Sequence, residues 1–264
     1  MRFTKMQGLG NDYVYVDAIH QDPGDLPRLA RRVSDRHFGV GSDGLICICP
    51  SQTADFRMRM FNADGSEGEM CGNGIRCVGK FVYDKGLTGK RTLTVETLAG
   101  VRELTLHVTG DKVSEVTVDM GIPTVEPAIV IAVKGKHYTG VPVSMGNPHC
   151  VVEVDDPAGL DLAAIGPEFE HWPHFPDRTN TEFVQVLSPD VLALRVWERG
   201  SGETMACGTG ACAAVAALSA AGRCGRRATV RLLGGELTIH WEEKSGHVFM
   251  TGPAVTVFDG ELAD

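Results

Sequence analysis

"RMFNADGSEGEMCGNG" (residues 59–74) and "RVWERGSGETMACGTG" (residues 195–210) lie over one another at an offset of 136 positions. The overlay pairs Arg59 with Arg195, Phe61 with Trp197, Glu67 with Glu203, Gly72 with Gly208 and Gly74 with Gly210, and it sets Cys71 on Cys207. A second pair of segments, "GNDYVYVD" from Gly10 and "GNPHCVVEVD" from Gly146, shares that offset. Two short motifs at one spacing read as an internal repeat. Two copies are too few for a solenoid and suit two similar domains facing one another across a cleft.

Each half therefore carries a Gly-Asn turn before a strand and a CGxG turn before a helix. "DLPRLARRVSD" places Leu26, Leu29, Ala30 and Val33 at helical spacing. "LICICP", "RTLTVET", "RELTLHV", "SEVTVDM", "HCVVEV", "EFVQVL", "LALRVWE", "ELTIHW" and "HVFMTG" are short, mostly alternating and β-branched, as strands are. "IRCVGKFVYDKG" and "ACAAVAALSAAG" are apolar around much of their circumference, which predicts helices at the centre of a domain, each ending near a glycine, Gly86 and Gly222. "MGIPTVEPAIV", with two prolines and little periodicity, is the natural crossover. The expected class is α+β with two similar halves: residues 1–119, completed by the C-terminal segment 253–264, and residues 120–252.

A chain of 264 residues with 43% hydrophobic residues can bury a full core in either half. The net charge is -9, with no run of five or six like charges, so no nucleic-acid footprint or polybasic membrane surface is present. No stretch approaches eighteen consecutive apolar residues, and the N-terminus lacks the apolar core of a signal peptide, so a cytoplasmic protein with a small-molecule partner is expected. In that compartment the eight cysteines read as reduced thiols.

The first turn of a helix has backbone N–H groups without intrahelical partners and partial positive charge, so it favours anions. A thiolate is one such anion, and a thiol pKa can be lowered there. A substrate carboxylate is another, and adjacent glycines let it approach the backbone. Two such sites suit inversion of a stereocentre: one cysteine, as thiolate, takes the α-proton from one face while the other, as thiol, delivers a proton to the opposite face. Acid–base catalysis alone supplies roughly 10²–10⁴-fold. A dry site with fixed N–H dipoles must stabilise the carbanion.

"GLGNDYV", "FNADGSEGEMCGNGIRC", "MGNPHCVV", "NTEFVQV" and "ERGSGETMACGTGACAA", in this order and across nearly the whole chain, resemble the diaminopimelate epimerase family. The resemblance implies a cofactor-independent isomerase, with no metal, that interconverts LL- and meso-diaminopimelate for lysine and peptidoglycan precursor synthesis. It also implies a homodimer whose two domains are each a curved sheet or barrel around a central helix, with the active site between them. By resemblance Cys71 and Cys207 are the catalytic thiols, and His149 and Glu198 assist proton transfer or orient the reacting amine. Gly72, Asn73, Gly208 and Thr209 correspond to the helix-mouth positions that hold the carboxylate. Asn11, Asn62, Asn147, Asn180 and Arg199, with Glu198, correspond to substrate contacts. Position 44 is Gly where some members of the family carry a substrate-contacting Gln.

Taken singly, these residues have plainer readings. Cys47, Cys49, Cys77, Cys150, Cys212 and Cys224 read as small buried hydrophobes. No CxxC spacing supports zinc. His171 and His174, among prolines, read as a surface loop. "GVGSDG" precedes a strand and not a helix, which argues against a phosphate loop. The rival activities are a two-cysteine racemase of another amino acid, a thiol hydrolase using one cysteine with His149, and a redox protein in which Cys71 and Cys207 form a reversible disulfide.

Overall fold

A computed structural model describes residues 1–263. In chain order the elements of the first half are β1 (Arg2–Gly8), β2 (Asn11–Asp17), α1 (Leu26–Ser34), β3 (Gly44–Cys49), β4 (Phe56–Asn62), β5 (Glu67–Gly68), α2 (Gly72–Asp84), β6 (Thr92–Thr97), β7 (Gly100–Thr109) and β8 (Lys112–Asp119). Then follow β9 (Thr124–Val125), β10 (Ile129–Val133), β11 (Lys136–Ser144), β12 (Pro148–Glu153), α3 (Leu162–Glu170), β13 (Asn180–Ser188), β14 (Val191–Glu198), β15 (Gly202–Thr204), α4 (Gly208–Ala220), β16 (Arg227–Leu232), β17 (Gly235–Trp241), β18 (Val248–Pro253) and β19 (Val255–Glu261). The chain divides into two compact units, Met1–Val118 with the chain from Gly252 onward, and Asp119–Thr251.

In the first unit the strands neighbour one another in the order β19, β1, β2, β3, β4, β6, β7, β8, with β5 hairpinned onto β4. The second unit has the order β10, β11, β12, β13, β14, β16, β17, β18, with β15 on β14. In both, the pairs β2/β3 and β12/β13 are parallel, as are β4/β6 and β14/β16. The 136-residue offset carries α1 onto α3 and α2 onto α4 end to end. The one difference in wiring is the outer strand: β10 precedes β11 directly, whereas β1 receives its partner β19 from the far end of the chain.

Each unit wraps its sheet around one helix. α2 is buried from Gly72 through Val82, and α4 is buried from Gly208 through Leu218 except at Thr209. Alanines at 211, 213, 214, 216 and 217 keep α4 thin and favour its helical state. Burial of Val215 and Leu218 adds about 1.5–3 kcal/mol each. Gly86 and Gly222, just past these helices, take positive φ, as expected of C-terminal caps. α1 lies on the other face of its sheet, where Leu29, Ala30 and Val33 meet Val14, Leu45 and Phe61.

α3 is the main element the hydrophobic periodicity did not announce. Gly166 and Pro167 interrupt its sequence signal, yet Asp161 caps it by accepting from the Ala164 N–H at 3.1 Å. Tertiary packing explains the glycine, since a Cβ there would stand 2.2 Å from the Trp197 ring. β1, β4, β10, β11, β16 and β19, with the short β5, β9 and β15, were also not anticipated. The crossover region near residue 120 holds only the two-residue strand β9 before β10 begins.

Candidate functional site

The half-site of the first unit is built on the N-cap of α2. Cys71 has extended backbone, and its Sγ accepts from the Gly74 N–H at 3.3 Å while the thiol donates to Asn11 Oδ1 at 3.1 Å. Asn11 is held in turn, because its Nδ2 donates to Asp43 Oδ2 at 2.8 Å. Arg36 bridges Asp43 and Asp12, and Asp12 pairs with buried Lys5 at 2.5 Å. Burial pushes the Asp12 carboxyl up, but Lys5 and then Arg36 beside it hold it below the usual carboxylate range. Lys5 also donates to the Gly41 carbonyl. A network of charges thus fixes the Gly-Asn turn that presents Asn11 to the thiol. Gly72 and Asn73 lie buried in the first turn of α2. Asn62 does not join them: it is exposed and donates to Ser66 Oγ at 3.0 Å.

The half-site of the second unit has the same backbone and different chemistry. Cys207 is the N-cap of α4, is only 6% exposed, and makes no side-chain cap hydrogen bond. Its Sγ lies 3.5 Å from Thr209 Oγ1, which Asn147 Nδ2 approaches at 3.3 Å. Asn147 Oδ1 stands 3.1 Å from His149 Nε2, and His149 Nδ1–H donates to Glu182 Oε1 at 2.7 Å. Glu198 takes a hydrogen bond from the Thr204 hydroxyl. Desolvation pushes the Glu198 carboxyl up, and the Glu182 charge adds to that.

These surroundings overturn one expectation. The helix mouth was expected to lower a thiol pKa, yet burial, and then the carboxylates of Glu198 and Glu182, push the Cys207 thiol well above its ordinary value. Burial and the neighbouring carboxylates thus favour the protonated form of Cys207. Desolvation and like charge outweigh the helix dipole, whose contribution is worth at most about 2 kcal/mol.

Asn180 and Arg199 sit beside one another, with the Arg199 backbone N–H donating to Asn180 Oδ1 at 2.9 Å. Asn180 Nδ2 donates to the Pro148 carbonyl, and the exposed Arg199 guanidinium reaches the Asp177 carbonyl. Among the described residues, no group of three or more His, Cys, Asp or Glu side chains is placed to hold a metal ion.

Several participants were missed in the sequence. Asp43 and Lys5 were not singled out there, and Glu182 appeared only as one letter of "NTEFVQV". The usable signal was the repeat itself. At the 136-residue offset Tyr13 corresponds to His149, Gly44 to Asn180, Ile46 to Glu182 and Asn62 to Glu198. The second copy thus carries ionisable groups where the first has a phenol, an aliphatic chain and an amide. The bidentate pairs Arg59–Glu67 and Arg195–Glu203 are, by contrast, repeated intact.

Gly44 has a structural cause. A Cβ at this position would stand 2.1 Å from the Phe61 carbonyl oxygen and 2.8 Å from the Tyr13 ring, so β3 and β4 approach too closely for a side chain. Gly44→Gln is expected to cost about 1–3 kcal/mol through overpacking, seen as a lower urea midpoint. A variant as stable as the parent would show that the strands separate freely.

A profile of the family described as diaminopimelate epimerase matches residues 3–126 and 141–257. The chain belongs to the diaminopimelate epimerase family. A diaminopimelate epimerase of Desulfovibrio desulfuricans is 54% identical over 280 residues, covering 99% of this chain and 98% of the relative. One of Methanococcus maripaludis is 53% identical over 275 residues, with 99% of each chain covered. Among solved structures, a hydroxyproline epimerase from Agrobacterium vitis superposes with TM-score 0.76 at 16% identity, covering 98% of this chain and 91% of that one. A Bacillus anthracis protein of the PhzF family gives TM-score 0.74 at 19% identity, covering 100% and 99%. At such low identity these two share the α+β fold alone. It is thus a fold wider than the diaminopimelate epimerase family.

Proposed function

We propose that this chain interconverts LL- and meso-diaminopimelate by two-base proton transfer at the α-carbon, with Cys71 serving one face and Cys207 the other. The observation that carries this reading is the repeated thiol at the mouth of a buried helix, one in each unit, in a chain of this family. In one direction Cys71, as thiolate, takes the α-proton, and Cys207, kept protonated by its carboxylate neighbours, delivers its own proton to the opposite face. The S–H bond of Cys207 breaks as the new C–H bond forms, so the two thiols have exchanged roles at the end of the step.

The N–H groups at Gly72, Asn73, Gly208 and Thr209 are the proposed anchor for the carboxylate at the reacting end, since each lies in the first turn of a helix. His149 and Glu198 adjust the charge around Cys207 and meet the reacting amine. Asn11 and Asn147 orient the groups beside the thiols. Asn62, Asn180 and Arg199 are assigned to the distal amino-carboxylate, where a guanidinium fork suits a carboxylate and amides serve both charges. Lysine and peptidoglycan precursor synthesis, a cytoplasmic location and a homodimer complete the proposal. No helix among the described residues is long and apolar enough to cross a membrane.

Proton NMR of the reduced protein with LL-diaminopimelate in deuterium oxide tests the substrate. The expected result is loss of the α-proton signal as meso product accumulates. Persistence of the α-proton in folded protein would rule out diaminopimelate and leave another amino acid as the alternative.

A further inference from the structure

Glu182 is unusual in its setting. It is fully buried on β13, and its Oε2 has no hydrogen-bond partner among the described residues. A buried carboxylate oxygen without a partner is costly, and such groups recur where a site uses their charge. Its other oxygen accepts from His149 Nδ1–H, and His149 is equally enclosed, with neither side chain exposed. The backbone makes room for it: a Cβ at Gly210, in the first turn of α4, would stand 2.5 Å from Glu182 Oε1. The corresponding glycine of the first unit, Gly74, faces Ile46, whose Cδ1 would lie 2.7 Å from such a Cβ. The repeat therefore puts an apolar side chain against one helix mouth and a carboxylate against the other.

We infer that Glu182 is a positioning residue for proton transfer at Cys207, holding His149 through Nδ1 so that Nε2 faces Asn147 and the hydrogen-bonded line through Thr209 to the thiol. The inference rests on the proposed epimerase reading and adds to it a residue that touches neither substrate nor thiol. Asn147 Nδ2 donates to Thr209 Oγ1, and a hydroxyl that accepts this bond still has a proton to give and a lone pair to offer, so the Thr209–Cys207 contact can run in either direction. With Thr209 accepting, it meets Cys207 as thiol; with Thr209 donating, it meets the thiolate left after the proton has gone to carbon. Fixing Nδ1 on a carboxylate leaves Nε2 as the only ring atom that changes partner role, and this gives the two thiols unlike surroundings in otherwise matching units. Without Glu182, His149 is free to rotate or change tautomer.

The test compares wild type with Glu182→Gln, which keeps the shape and removes the charge, and Glu182→Ile, which installs the residue of the first unit. Expected for Glu182→Gln is a fall in kcat of about 10- to 100-fold, part of the usual acid–base contribution, with KM nearly unchanged. The pH midpoint for alkylation of Cys207, read by mass spectrometry of its peptide, should move down by about one unit because a nearby negative charge has gone. Nitrogen-15 NMR of the histidines should show His149 losing its fixed Nδ1–H form in Glu182→Ile. A Gln variant with wild-type kcat, unmoved alkylation midpoint and an unchanged His149 spectrum overturns the inference. If the wild type does not turn over diaminopimelate, the proposed function falls, while the spectrum and the midpoint still decide the role of Glu182.

Discussion

Cys71→Ala and Cys207→Ala should each abolish epimerisation yet leave different residues of chemistry behind. A two-base scheme needs a proton acceptor on one face of the α-carbon and a donor on the other, so losing either thiol costs at least the roughly 10²–10⁴-fold of acid–base catalysis. The surviving thiol can still remove the α-proton of the epimer that presents it and return a solvent deuteron to the same face. Each variant should therefore exchange the α-proton of one epimer with retention and leave the other untouched, with opposite choices for the two variants. Deuterium incorporation measured separately on LL- and meso-diaminopimelate reads this directly. A hydrolase or a redox protein makes no such complementary pattern, and neither variant would then matter to α-exchange. If one variant inverts the centre at near wild-type rate, the two-thiol scheme is wrong.

Stability should fall steeply above about pH 9. Burial pushes the Cys47 thiol up to about 12 and the Cys77 thiol up to about 11, from an ordinary value of 9.0. Between 9 and these values the unfolded chain has lost the protons that the folded chain keeps, so the unfolded state binds fewer protons and the free energy of unfolding declines as pH rises. The stabilisation is complete below pH 9. Each buried thiol removes about 1.4 kcal/mol per pH unit across its window. For Cys47 and Cys77 together the loss by pH 11 reaches several kcal/mol, a large part of a typical 5–15 kcal/mol total. Urea denaturation at pH 8, 9, 10 and 11 measures it, and Cys77→Ala should flatten the decline. A stability constant from pH 8 to 10.5 would contradict the enclosed, protonated state of these thiols.

The stability effect comes from thiols enclosed by the fold, Cys47 on β3 and Cys77 on α2, and the exchange effect from the thiols that cap α2 and α4. At the mouth of α4 in the second unit, burial is joined by the charges of Glu198 and Glu182, and all push the Cys207 thiol up. In the first unit the thiol meets a helix N–H and an amide instead.

Much of this was written linearly. The repeat at 136 positions, the strand patterns and the two apolar helices are local or periodic signals, and hydrophobic alternation reports them because burial on a sheet or a helix has a fixed period. The placing of Cys71 and Cys207 at helix mouths was equally legible, since CGxG before an apolar run sets an N-cap by short-range geometry alone. α3 was not, because Gly166 and Pro167 obscure its period while Trp197, distant in sequence, supplies the packing that stabilises it. The C-terminal segment was expected to complete the first half, but its pairing with β1 was not visible, because strand partners hundreds of residues apart are chosen by three-dimensional closure and leave no local mark.

The sequence by itself determined that there are two like units, that each presents a thiol on the first turn of a buried helix, and which side chains stand near those turns along the chain. Only the tertiary structure decided how those thiols differ. Parallel pairing of β12 with β13 sets Glu182 beside His149 and against Gly210, whereas pairing of β2 with β3 sets Ile46 in the matching place against Gly74. The charge state of a thiol depends on desolvation and on carboxylates within a few ångströms, and those distances are fixed by strand register and not by position along the chain.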